Sequence, residues 1–188
     1  IIKNKYFLII ESIKDLELKN IKKRNKFFII YRNNNNLDKN NDLSNFRRSC
    51  KLKAIKFFVA NDIKLATALK ADGIYLSAYN NSFKSLGLKR KNFQLIGSAH
   101  NIKEITIKTK QGCSLILFSK LFLVNYDKKA PFHGILKFNN NLKINKNLIP
   151  LGGINLKKLN HLKNINCQGF AILSEIKKKP ANIINRLF

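Results

Sequence analysis

The sequence predicts an α/β fold, a small single-domain (β/α)8 TIM barrel spanning residues 1–188, and three observations predict it. Eight short apolar runs recur at fairly even intervals, and most are followed by a polar stretch with helical spacing. The runs are continuously apolar rather than alternating, as parallel strands buried on both faces must be. The chain, at 188 residues and 45% hydrophobic, has enough apolar material for one core. A doubly wound open sheet is the alternative arrangement of the same units.

In chain order the expected strands are Tyr6–Ile10, Phe27–Tyr31, Lys56–Val59, Gly73–Leu76, Gln94–Gly97, Leu115–Phe118, Leu148–Leu151 and Gly169–Leu173. Helical spacing falls between them at Asp15–Arg24, Leu43–Lys53, Asp62–Lys70, Ile102–Lys110, Leu156–Asn164 and Ala181–Leu187. Asp62, Asn101 and Asn155 stand where side-chain oxygens would cap helix starts, Asn101 with Glu104 three residues on, and Pro180 suits a first helical turn. Two connections are weak. Ser77–Arg90 has a ragged pattern, and Asn125–Asn147 reads as a long polar loop broken by Pro131 and Gly134.

Thirty-seven Lys+Arg against ten Asp+Glu give a formal charge of +27. The basic residues are spread along the chain, with short clusters only at Lys22–Arg24, Lys89–Lys91 and Lys177–Lys179, and no aromatic and arginine platform accompanies them. They read as a solvated surface that steers anions, without specific nucleic-acid binding; a nucleic-acid role is the alternative that charge alone favours. No run approaches the roughly 18 apolar residues of a membrane span, and no signal peptide is visible. Cys50, Cys113 and Cys167 are odd in number and lack metal-ligand spacing, so they read as apolar fillers in a reducing, cytoplasmic setting.

In such a barrel chemistry sits in the loops after the strands. Those positions hold Arg32; Asn61 and Asp62; Tyr79 to Asn81; Ser98 and His100; Ser119 and Lys120; Gly152 and Gly153; Ser174 and Glu175. The set is rich in anion-binding groups.

Five segments in order, NDIKLATALKADGIYL at Asn61–Leu76, IGSAHNIKE at Ile96–Glu104, LILFSKLF at Leu115–Phe122, IPLGGI at Ile149–Ile154 and GFAILSEI at Gly169–Ile176, resemble the thiamine phosphate synthase/TenI family. The resemblance implies a barrel that joins hydroxymethylpyrimidine diphosphate to thiazole phosphate, releasing pyrophosphate, with Mg2+ as cofactor and phosphorylated small molecules as partners. It also implies pairing as a homodimer. The residues it marks are Arg32, Asn61, Ser98 and His100 for catalysis, Asp62 for the metal, and Gly152, Gly153, Ile172, Ser174 and Lys120 for phosphate. The sequence departs from the family on the pyrimidine side. Ile30 and Asn34 flank Arg32 in place of Gln and Lys, Asn80 stands about where the family has a second acid, Tyr75 replaces a His, Val124 and Tyr126 replace two threonines, and Lys120 takes the place of the TenI histidine. The alternative reading is therefore a TenI-like or non-catalytic barrel that binds thiazole phosphate or thiamine phosphate.

Overall fold

A computed structural model describes residues 3–21, 25–32, 38–88, 93–124 and 129–173. The strands are β1 (Lys5–Ile10), β2 (Phe27–Tyr31), β3 (Lys56–Ala60), β4 (Gly73–Leu76), β5 (Gln94–Ala99), β6 (Leu115–Ser119), β7 (Leu148–Leu151) and β8 (Gly169–Ile172). All neighbours pair in parallel and in sequence order. Closure is made by β1 on β8, with Leu8 opposite Ile172, which overturns the open-sheet alternative.

Strand pleating divides the apolar runs between two cores. Phe7, Ile9, Phe28, Ile30, Phe58, Ile96, Leu117 and Ile149 fill the barrel interior, while Tyr6, Leu8, Ile10, Phe27, Ile29 and Phe57 face the outer layer. Inside, the rings of Phe7 and Phe28 lie 4.7 Å apart and those of Phe28 and Phe58 6.1 Å apart, so aromatic volume plugs one stretch of the barrel.

The α-helices are α1 (Asn40–Leu52), α2 (Ile63–Ala68), α3 (Ile102–Lys110) and α4 (Gly134–Ile144). The caps at Asp62, Asn101 and Asn155 form, accepting from the amides of Leu65, Glu104 and Lys158. Three expectations need correction. Over its described residues, which end at Ile21, the expected helix at 15–24 is instead two 3-10 turns, Ile13–Asp15 and Leu18–Asn20. Its buried anchors Leu16 and Ile21 are five residues apart, a spacing that gives no helical face. Leu156–Asn164 is also 3-10, because Leu156, Leu159 and Leu162 recur every third residue, the period of that helix. The presumed loop at 125–147 contains α4, whose Ile135, Phe138 and Leu142 make an apolar face inside an asparagine-rich run. Pro131 precedes this helix and Gly134 is its first residue, so neither interrupts it.

The expected helix at 181–187, Pro180 and the three basic clusters lie outside the described residues. No described helix is long and apolar enough to cross a membrane. Cys50, Cys113 and Cys167 are free. Burial pushes the Cys50 thiol up to about 12 and Cys113 to about 11, which suits packing and not nucleophilic attack.

Candidate functional site

The strands' C-terminal ends open into a cavity of about 1070 Å³. Arg32, Asn61, Asp62, Ser98, His100, Lys120, Gly152, Gly153 and Ile172 all line it, although they come from several different strand ends. Ser174, Glu175, Asn34 and Tyr126 lie outside the described residues.

On the β7 side the chain turns sharply. Gly152 has φ +94° and Gly153 φ +67°. A Cβ on Gly153 would sit 2.5 Å from the Phe122 carbonyl oxygen, and one on Gly152 would sit 3.1 Å from the Lys120 Cα. The loops after β6 and β7 are also tied together, since the Leu121 amide donates to the Leu151 carbonyl at 2.8 Å and the Phe122 amide to the Gly152 carbonyl at 3.1 Å. Only glycine allows this approach. The Gly153 N–H has no acceptor among the described residues, so it is a donor presented at a cavity wall.

Opposite lies a polar floor. Ser98, buried at the end of β5, lies beside the Tyr75 phenol, which is directed inward from β4. Burial raises the Tyr75 pKa; the neighbouring Ser98 hydroxyl and the nearby Arg32 charge oppose the rise. The resulting group of Arg32, Tyr75 and Ser98 offers a cation and two hydroxyls to an anion. Tyr75, marked in the sequence only as a departure, is visible as a site residue through strand alternation: β5 places Ile96 opposite Tyr75, and Ser98 follows two positions later on the same face.

The third wall joins the loops after β3, β4 and β5. Asn61 has φ +58°, and its Oδ1 accepts from the Ser77 amide at 3.0 Å and the Asn80 side-chain amide at 2.9 Å. That oxygen is committed to bracing two loops. Asp62 spends Oδ1 on the Leu65 amide at 2.9 Å as the α2 cap. Asn80 Oδ1 accepts from the Ser82 amide at 3.0 Å. The Asn80 carbonyl is held from behind by Lys108 Nζ at 2.5 Å and Gln111 Nε2 at 2.9 Å, both on fully buried side chains. Burial lowers the Lys108 pKa. His100 sits at the start of α3, where its amide donates to Glu104 Oε2 at 2.7 Å and its ring stacks on the exposed Tyr79, centroids 5.9 Å apart.

These residues also test the implied magnesium ion. Mg2+ needs near-octahedral oxygen coordination, and proteins usually contribute one or two carboxylates to it. Asp62 is the lone carboxylate lining the cavity among the described residues, and half of it caps a helix. The described residues contain no group of three His, Cys, Asp or Glu side chains able to hold a metal. The donor set does not fit a protein-held magnesium ion.

His133 was not legible as a neighbour of the site, because it lies fourteen residues after Ser119. Its ring stacks on Phe118 at 4.2 Å and its Nε2 lies 3.3 Å from the Ser119 carbonyl oxygen. Burial lowers its pKa below the ordinary 6.5. A histidine whose folded-state pKa is lowered costs stability as pH falls through about 6.5, where the unfolded chain takes up the proton first. We expect His133→Gln to flatten that part of the urea-midpoint profile between about pH 7 and 5 relative to the parent. Superimposable profiles would refute the burial of this ring.

The family model described as thiamine monophosphate synthase matches residues 12–176. The chain belongs to this family. Among curated relatives, a thiamine-phosphate synthase of Prochlorococcus marinus is 27% identical over 129 residues, covering 68% of this chain and 37% of that protein. That of Geobacillus thermodenitrificans is 23% identical over 137 residues, covering 71% of this chain and 62% of the relative. The chain thus matches less than two thirds of the length of these two thiamine-phosphate synthases. A solved thiamine phosphate pyrophosphorylase from Pyrococcus furiosus superposes with a TM-score of 0.74 at 17% identity, over 98% of this chain and 95% of that one. A 3-keto-L-gulonate-6-phosphate decarboxylase from Vibrio cholerae superposes with a TM-score of 0.63 at 11% identity, covering 100% of both chains. At these identities the superpositions speak for the barrel alone.

Proposed function

We propose that this barrel is a thiamine phosphate synthase-like transferase with a diverged pyrimidine side. In the proposed reaction the bond between the pyrimidine methylene carbon and the diphosphate oxygen breaks, and pyrophosphate leaves with the electron pair. The ring nitrogen of thiazole phosphate supplies the pair that forms the new carbon–nitrogen bond. Little acid–base chemistry is required, so catalysis rests on positioning and on stabilising the departing charge.

The observation that carries this reading is the turn at Gly152–Gly153, which presents an amide with no acceptor among the described residues to a cavity that Arg32 and Ser98 also line. The two sides suit two anions. The glycine turn, Ile172 and Lys120, with Ser174 beyond the described residues, are assigned to the thiazole phosphate, and Arg32, Ser98 and His100 to the pyrophosphate. Asn61 takes a bracing role, holding the loop that carries Asp62.

The test is pyrophosphate release on mixing the protein with hydroxymethylpyrimidine diphosphate and thiazole phosphate. Release that requires both substrates is expected. Arg32→Ala should lower turnover roughly 100-fold, as removal of one charge-stabilising donor does elsewhere. Saturable binding of thiamine phosphate with no release under any condition would instead select the reading as a TenI-like or non-catalytic barrel, which the engaged oxygens of Asn61 and Asn80 favour.

A further inference from the structure

We propose that the cavity takes its diphosphate without a divalent cation, balancing the anion with cations of the chain. The inference rests on the reading above that the cavity accepts a diphosphate. Its first support is the lining charge: Arg32, Lys64 and Lys120 are cations there, and Asp62 is the one described carboxylate. A site that holds a bridging metal needs negative charge on the protein side to retain the ion between substrate and chain. This wall has the opposite balance.

The second support is the corner made by the loops after β3 and β4. Every oxygen of Asn80 is engaged: Oδ1 by the Ser82 amide, and the carbonyl by Lys108 and Gln111. Asn61 Oδ1 already accepts two donors. Asn61 Oδ1 and the Asn80 carbonyl, each accepting two donors, cannot turn to a metal without leaving a donor unpaired.

The third support is Lys108 itself. Its hydrogen-bond acceptors are the Asn80 carbonyl and Gln111 Oε1, the latter at 3.1 Å, and both are neutral. No carboxylate pairs with it among the described residues. An ammonium with no carboxylate in direct ion-pair contact among the described residues, its charge only partly offset by Glu104, lies directly behind the loop, where it repels a second cation and attracts an anion. The buried lysine supplies positive charge where a metal-dependent site would be expected to gather acids.

Two measurements on the unmodified chain decide the matter. Pyrophosphate titrated calorimetrically in EDTA should bind, and excess Mg2+ should change the affinity by no more than about threefold. Mn2+ titrated alone, followed by its free-ion paramagnetic resonance signal, should remain free at micromolar protein. Pyrophosphate binding that appears only with Mg2+, or is about tenfold tighter with it, would overturn the inference and leave the diphosphate reading standing. Capture of one Mn2+ per chain would also overturn it. Absence of pyrophosphate binding in both media would overturn the inference and the diphosphate reading together.

Discussion

Gly153→Ala is expected to remove phosphate binding on the β7 side and to destabilise the barrel by roughly 3 kcal/mol, because strain and overpacking act at the same atom. At φ +67° an L-residue is in the left-handed region, which alone costs about 1–2 kcal/mol. The added methyl would also lie 2.5 Å from the Phe122 carbonyl oxygen and 2.6 Å from that of Leu123. Both neighbours are backbone atoms in a loop tied to the turn by the Phe122 amide, so neither can swing away as a flexible side chain would. Relief must come from moving the turn, and with it the Gly153 N–H. The urea midpoint and the inorganic phosphate dissociation constant should therefore deteriorate together. Parental affinity in a destabilised variant would show that the Gly153 amide does not meet the phosphate. Gly152→Ala provides a comparison with milder crowding, since its Cβ would meet the Lys120 Cα at 3.1 Å and Cβ at 3.2 Å, while φ +94° keeps the backbone strain.

The barrel was legible because two-sided burial writes itself into composition. FFIIY at β2 and LILFS at β6 have no polar face to alternate, and such runs have few other homes than a parallel sheet with helices around it. The capping residues were legible for a local reason: Asp62, Asn101 and Asn155 each satisfy an amide three residues away. The weaker readings share a cause. At α4 the asparagines dilute the apolar stripe, and at Leu156–Asn164 the difference between a three-residue and a 3.6-residue period is small over nine residues. The family motifs point to cavity-lining residues because each lies at a strand end, but spacing could not reveal which polar atoms are already engaged. Asn61 and Asn80 look like ligands in one dimension and prove to be braces in three. Lys108 and Gln111 were invisible for the complementary reason. On and just after α3 they resemble solvated residues, and only the packing of the loop after β4 over them makes them interior groups.

Arg47 is likewise an ordinary arginine in sequence, yet its removal is expected to be among the most damaging single changes outside the cavity. From α1 its Nε and Nη2 donate to the Lys70 carbonyl at 3.2 and 3.1 Å, and Nη2 pairs with Asp72 at 3.2 Å. Asp72 uses its other oxygen to accept from the Phe57 amide at 2.7 Å. One guanidinium thus joins α1 to the segment between α2 and β4, and through Asp72 to the start of β3. These are the elements that carry Asn61 and Asp62 at their far ends. Arg47→Ala leaves the Asp72 carboxylate with an amide donor but no cation, and leaves the Lys70 carbonyl without its two donors. Loss of one partner from a largely buried pair costs about 3 kcal/mol, the lower end of the range because Asp72 retains some solvent contact. The urea midpoint should fall accordingly at neutral pH. Asp72→Asn tests the electrostatic part, since it keeps the shape and removes the charge. If the pair contributes through charge, the double variant Arg47→Ala/Asp72→Asn should be less destabilised than the two single variants would give by addition. Strict additivity would assign the stability to packing of the arginine stem alone. In either variant the damage should spread along β3 and α2, so amide exchange at Asn61 and Leu65 should accelerate before that of β6 and β7.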